Sequence, residues 1–242
     1  MKVFYDKVKT KEVEERILDK WGKRDRKSWA ERGFNVSEVT YCEVKCYCRR
    51  TGQEQRYTKE SIGFLVFGIV SEDIVMGIYP EDQRQHEANL NEIVWGHMDV
   101  YEDFKYPIEG KATAKRIYKR EHLPKNWVMQ LINYITMSRS NKGWLYILDI
   151  FTRQLSAWCV ELTSDEKLMQ IEVLMNKVSK LSKSIESEDY SELNITPEEY
   201  GLCNFKHTCP KRGECRIEAK RIEKKKREEK KRRKKWTASG KT

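Results

Sequence analysis

The stretch Glu92–Lys111, EIVWGHMDVYEDFKYPIEGK, limits the fold of this chain more than any other. Ile93–Val100 is rich in β-branched and aromatic side chains, Tyr101–Lys105 is polar, and Tyr106–Lys111 resumes an extended pattern. This predicts a β-hairpin. Side chains alternate between the two faces of a strand, so Glu109 and Lys111 project from one side and Asp99, near the end of the first strand, faces them. Two carboxylates and one ammonium then converge. A hard divalent cation takes such oxygen ligands, and a bound water whose pKa falls from 15.7 towards about 7 becomes a nucleophile at neutral pH. Lys111 would orient or deprotonate that water, and the cation would stabilise charge developing on phosphate oxygens. The trio suits phosphodiester cleavage.

A second signal lies downstream. WVMQLINYITM follows Pro124 and is amphipathic, which predicts a helix on which Gln130 and Tyr134, four apart, share a face. Asp99, nine residues, then Glu109-Gly110-Lys111 resembles the core of the PD-(D/E)XK nuclease superfamily, and Gln130-x-x-x-Tyr134 looks like the mark of its RecB-type members. The resemblance implies a restriction-endonuclease-like α/β core. It makes Asp99, Glu109 and the Gly110 carbonyl the ligands of a catalytic Mn2+ or Mg2+, gives Lys111 the attacking water, and has Gln130 and Tyr134 orient DNA or the Lys111 side chain. The chain departs from the family at one place. A Gly-x-x-His-Glu pattern carries a metal-binding histidine there, whereas this sequence reads Gly68-Ile69-Val70-Ser71-Glu72. Serine is a poor ligand, so Glu72, His86 or His97 compensates, or two carboxylates act alone. His97, two residues before Asp99 on the same strand face, is the preferred substitute.

The seven cysteines carry a third signal. The start of the chain has no apolar core of a signal peptide and its longest apolar run, Gly63–Val70, is too short to span a bilayer, so the expected location is the cytoplasm with no membrane association. Disulfides are disfavoured there, and Cys203, Cys209 and Cys215, in an irregular stretch, read as metal ligands needing a fourth. His207 would complete a zinc site. The resemblance offers another partner: Cas-four-like exonucleases hold a four-iron, four-sulfur cluster with one early and three late cysteines, and Cys42 fits the early position. Cys42 falls in an expected helix, Glu38–Arg50, capped from Asn35.

The rest of the chain frames these signals. Residues 1–35 read as a charged helical lead-in with Val13, Ile17, Leu18 and Trp21 at helical spacing, and Gly63–Pro80 as a buried helix or two buried strands. Gly143–Ile150 and Leu155–Leu162 read as a second hairpin covering the sheet, with Cys159 in the core. Thr163-Ser-Asp-Glu166 has capping-box spacing and opens a long helix with Leu168, Ile171, Leu174, Val178, Leu181 and Ile185 on its apolar side; residues 186–199 read as a polar loop. The expected division is an N-terminal helical segment over 1–60, a nuclease core over 61–200, a cysteine segment over 201–216 and a basic tail over 217–242. Of the net charge of +10, Arg216–Lys235 supplies thirteen Lys or Arg against four Glu, so the remainder is almost neutral. Affinity for nucleic acid would rest on this tail and on local patches, and would fall steeply with salt.

The resemblance thus implies a metal-dependent exonuclease acting on single-stranded DNA ends, with a role in CRISPR spacer acquisition beside integrase proteins; self-association is left open. Two alternatives stand beside it. One is a DNA-binding or assembly subunit that keeps the fold and cluster but has lost nuclease power, as Ser71 suggests. The other is a zinc-stapled nucleic-acid-binding module, which leaves Asp99, Glu109 and Lys111 unexplained.

Overall fold

The computed structural model describes residues 33–57, 59–114, 117, 119–152 and 154–239. The expected lead-in helix with Val13, Ile17, Leu18 and Trp21 lies outside them. The chain forms a mixed α/β structure around a six-stranded sheet. Strand β3 (Val94–Glu102) is its hub, pairing antiparallel with β2 (Arg84–Leu90) and with β4 (Tyr106–Thr113), and parallel with the short β1 (Phe34–Asn35). The expected hairpin is β3–β4, closed by a turn in which Asp103 and Phe104 have φ of 52°. Beyond it, β5 (Lys142–Asp149) runs parallel to β4, and β6 (Gln154–Glu161) pairs antiparallel with β5.

This last pair corrects an expectation. The second hairpin extends the sheet instead of covering it, because β5 adds edge to edge on β4 from Ile108↔Trp144 to Thr113↔Asp149. Cys159 is accordingly exposed on the outer strand β6 and is not a core residue. Trp158 and Val160, on the other face of β6, pack into the core instead.

Helices cover both faces. The stretch Gly63–Pro80 is helical as far as Gly77 but not buried throughout, since Val70, Ile74 and Ile78 are exposed: α3 (Lys59–Gly77) sets Val75 against Val100 and Ile108. On the opposite face, α4 (Lys125–Met137) starts after its N-cap Pro124 and buries Leu131 and Ile135 against Leu145 and Ile147. Each such buried aliphatic contributes about 1.5–3 kcal/mol of hydrophobic stabilisation. The largest core cluster joins β1–β3, Tyr134, the loop containing Leu193 and Phe205, and α5 (Ser164–Glu186) through Leu174, Val178 and Leu181. The Thr163–Glu166 capping box is present at the start of α5, with Glu166 N–H donating to Thr163 Oγ1 at 3.2 Å. Leu168 is exposed, and the 186–199 loop is anchored by Leu193 at 1% exposure.

The expected helix Glu38–Arg50 is two helices. Asn35 and Glu38 form a capping box that opens α1 (Val36–Thr40), the chain extends at Tyr41, and α2 (Glu43–Arg50) begins with Cys42 as N-cap. Tertiary bonds hold the break open. Tyr41 O–H donates to Gln130 Oε1 at 3.0 Å, and Asn133 Nδ2 donates to Thr40 Oγ1 at 2.8 Å. A continuous helix would carry both groups away from α4. Past the cysteine segment, α6 (Arg212–Ser239) carries the basic run on a long, mostly exposed helix. Among the described residues, no helix is long and apolar enough to cross a membrane.

Candidate metal and cysteine centres

The β3–β4 ladder runs Glu102↔Tyr106, Tyr101↔Pro107, Val100↔Ile108, and the next position is where Asp99 and Glu109 lie. There the side chain of Asp99 replaces a ladder acceptor: Gly110 N–H donates to Asp99 Oδ2 at 2.7 Å. Strict alternation also breaks at this point, since Met98 and Tyr101 share one core cluster while Val100 belongs to another. Across on β2, next to the Arg84↔Val100 pair, Gln85 takes a φ of 49°. This local twist aims the Asp99 carboxylate between the two strands.

Glu109 is 2% exposed and Asp99 6%. Lys111 Nζ donates to Glu109 Oε1, whereas Glu109 Oε2 is buried without a hydrogen-bond partner among the described residues. Burial, then the neighbouring Asp99 charge, pushes Glu109 up to about 8, with Glu72 adding to the rise and Lys111 opposing it. Asp99 is raised by burial, against Lys111 and the Gly110 N–H. Burial acts to lower Lys111, but Glu109, Tyr41 and Asp99 outweigh it and hold its pKa above the ordinary value. Lys111 is therefore an ammonium. Apolar residues in these places would be no less stable, so the buried trio is a cost to the fold. An orphaned carboxylate oxygen beside a second carboxylate is what a divalent cation binds. Among the described residues no three His, Cys, Asp or Glu side chains are grouped to hold an ion, which leaves Asp99, Glu109 and a carbonyl, the sparse set that Mg2+ uses with retained waters.

The structure distributes the other expected residues unequally. Gln130 and Tyr134 are buried on α4, with Tyr134 close enough that Glu109, after burial, is the main charge raising its pKa. Neither donates to Lys111. Gln130 accepts from Tyr41, and Tyr134 O–H donates to the His97 carbonyl at 2.7 Å, fixing α4 to β3 two residues from Asp99. The His97 ring is on the exposed side, 3.9 Å from Glu87 Oε2 and edge-on to Trp95. His86 stacks on Tyr101 at 4.7 Å. Ser71 is buried and donates to Gly68 O within α3 at 2.8 Å. Of the three substitutes considered for it, Glu72 is the one whose charge reaches Glu109.

Gly96 and Tyr41 were not picked out by the sequence. A Cβ on Gly96 would stand 3.1 Å from Val36 Cβ and 3.2 Å from Tyr134 Cε1, so a larger residue there requires Val36 on α1 and Tyr134 on α4 to give by a few tenths of an ångström. Its place in an apolar strand beside His97 was the available signal.

Cys42, Cys203, Cys209 and Cys215 line one small cavity of about 20 Å3 between the start of α2 and the start of α6. His207 is exposed and absent from its lining. Cys48, fully buried behind the cavity, hydrogen-bonds with Cys209, whose thiol falls to about 7 chiefly through that bond.

No protein-family model matches this chain, and no curated protein matches it. Several solved structures resemble it in part. One is the crystal structure of SSO0001, with 16% identity over 86% of this chain and 99% of that one, at a TM-score of 0.48. Another is a phage-related exonuclease from Haemophilus somnus 129PT, with 10% identity over 64% of this chain and 96% of that one, at a TM-score of 0.39. Likenesses this distant leave the function to the site itself. Fold and site define a mixed α/β protein with a buried carboxylate–lysine centre on its sheet. Its second distinguishing feature is a small cavity with Cys42, Cys203, Cys209 and Cys215 in its lining, no three of them grouped as they stand to hold an ion.

Proposed function

We propose that this chain is a metal-dependent nuclease with a restriction-endonuclease-like, RecB-type core, acting on single-stranded DNA ends. The observation that carries the reading is the buried, unpartnered Glu109 Oε2 beside Asp99 and Lys111. Asp99, Glu109 and the Gly110 carbonyl hold Mn2+ or Mg2+, which supplies Lewis acidity and an activated water. Gly110 N–H keeps Asp99 aimed at the strand gap. Lys111, charged and tied to Glu109, orients the attacking water by donating to it and does not deprotonate it. Gln130 and Tyr134 hold α4 and Tyr41 in place over the centre.

Cys42, Cys203, Cys209 and Cys215 hold a four-iron, four-sulfur cluster in this reading, supported by their arrangement around one cavity. The basic helix α6 grips phosphates or docks an acidic partner. A role in CRISPR spacer acquisition, with integrase proteins as partners, accords with this chemistry and with the order of the motifs along the chain. The second reading, an assembly subunit without nuclease power, draws on Ser71, whose hydroxyl is spent on Gly68 O.

The test is cleavage of end-labelled linear single-stranded DNA by anaerobically purified protein, with and without Mn2+, beside Lys111→Ala. Metal-dependent loss of substrate that the variant lacks establishes the nuclease. Intact substrate, with DNA bound and iron retained, establishes the assembly subunit.

A further inference from the structure

Glu43, the first residue of α2, follows Cys42 directly and is 4% exposed. Its carboxylate accepts three hydrogen bonds: Oε2 from Lys180 Nζ on α5 at 3.0 Å and from the Asn194 N–H at 2.8 Å, and Oε1 from Asn194 Nδ2 at 3.2 Å. Asn194 lies in the polar loop after α5, and its carbonyl accepts from the Cys42 thiol at 3.8 Å. The acid fixes the loop, and the loop meets the early cysteine.

The same loop is held from the other side. Lys211 stands between Cys209 and Cys215, and its Nζ donates to the carbonyls of Ser191 at 2.7 Å and Leu193 at 2.8 Å. Leu193 is buried in the main core, and Ile195 and Thr196, next along the chain, line the cavity with the four cysteines. Ser191 to Thr196 thus joins two pieces of chain that are far apart in the sequence, the start of α2 and the late cysteine segment. A buried carboxylate costs the fold more than an apolar residue in its place, so packing gives no reason for an acid at position 43. Direction does. Glu43 takes two bonds from Asn194 and Lys211 gives two to the loop main chain, and paired bonds fix orientation as well as distance.

We propose that Glu43 and Lys211 are positioning residues for the cysteine centre. Acting through the Ser191–Thr196 loop, they hold Cys42 in register with Cys203, Cys209 and Cys215. The inference rests on reading these four thiols as ligands of one metal group, and neither residue touches that group. Loss of either anchor should leave the late cysteines together and take away the early one.

The experiment compares the full chain with Lys211→Met, Lys211→Arg, Glu43→Gln and Cys42→Ala. Iron is measured after anaerobic purification, and chelator-stripped protein is titrated with Co2+, whose thiolate charge-transfer absorption grows with the number of sulfur ligands. Lys211→Met and Glu43→Gln should retain little iron and bind Co2+ about 10–100-fold more weakly, with the three-thiolate intensity of Cys42→Ala. Lys211→Arg, which keeps a donor to both carbonyls, should restore iron and intensity. Stripped Lys211→Met should melt close to wild type, since Leu193 stays in the core. Wild-type intensity and affinity in both Lys211→Met and Glu43→Gln overturn the assignment. Complete loss of the absorption with a lowered melting temperature in both also overturns it, because a positioning residue costs one thiolate and not four. If wild type itself shows neither iron nor thiolate absorption, the cysteine centre falls and the positioning role with it; if wild type and the variants bind alike, the centre stands and the positioning role alone falls.

Discussion

The main-chain N–H of Gly110 donates to Asp99 Oδ2 at 2.7 Å, so a side chain of one strand completes the hydrogen bonding of its neighbour where the ladder stops. The bond fixes the Asp99 carboxylate against the main chain of the neighbouring strand. The same residue that would hold a metal thus also shapes the gap in which the metal would sit.

Replacing Asp99 with Asn keeps an acceptor for Gly110 but removes one of two buried negative charges. Cleavage should fall at least about 100-fold, as for loss of a main electrostatic group. Above about pH 8, where Glu109 is ionised as well, the metal-free variant should melt at a higher temperature than wild type, because Glu109 no longer faces a like charge. Added Mn2+ should shift its melting temperature far less than that of wild type. Thermal melts with and without metal check this, and a lower melting temperature in the metal-free variant contradicts it.

Metal binding should release a proton. Without metal, Glu109 titrates near 8 in the folded protein against about 4.5 unfolded. Between those values the folded state holds a proton that the unfolded chain has lost, so metal-free stability falls as pH rises through this window. A cation requires the carboxylate and displaces the proton, so stabilisation by Mn2+ should be greater at pH 8 than at pH 5. Calorimetry in buffers of differing ionisation enthalpy reads the proton count directly.

Tyr134→Phe removes the donor to the His97 carbonyl. The expected loss is about 1 kcal/mol of stability, with kcat lowered by less than about tenfold, because the hydroxyl positions β3 and does not meet the reacting atoms. A loss of kcat comparable to that of Lys111→Ala would assign Tyr134 to the chemistry instead.

Gly96→Ala places a methyl about 3.1 Å from Val36 and 3.2 Å from Tyr134. Forcing α4 away from β3 should cost about 1–3 kcal/mol by denaturant unfolding. Pairing it with Val36→Ala should recover part of that loss, since the close contacts are with the Val36 side chain.

Cys42→Ala should abolish iron retention in anaerobically purified protein, while Cys159→Ala should leave it intact, because Cys159 lies exposed on the outer strand β6. Full iron content in the Cys42 variant would remove it from the ligand set.

Much of the site was legible in the chain because its signals are local. The hairpin from Val94 to Thr113 follows from β-branched residues around a polar turn, α4 from Pro124 and its spacing, and α5 from the Thr163–Glu166 box. Other elements carried no local sign. Strand β2, RQHEANL, has almost no apolar residues and is a strand only because β3 offers it an edge. The helix broken at Tyr41 and the exposure of Cys159 likewise depend on partners distant in the chain.

By itself the sequence determined which residues could do chemistry: Asp99, Glu109 and Lys111 on one hairpin, and three late cysteines with an early one. Only the tertiary structure decided their surroundings. It buried Glu109 Oε2 without a partner, turned His97 outward, brought the charge of Glu72 to bear on Glu109 and joined Tyr41 to Gln130 on α4. The reason is physical. Strand alternation and helical spacing act over a few residues, whereas desolvation and charge depend on every element packed around a group.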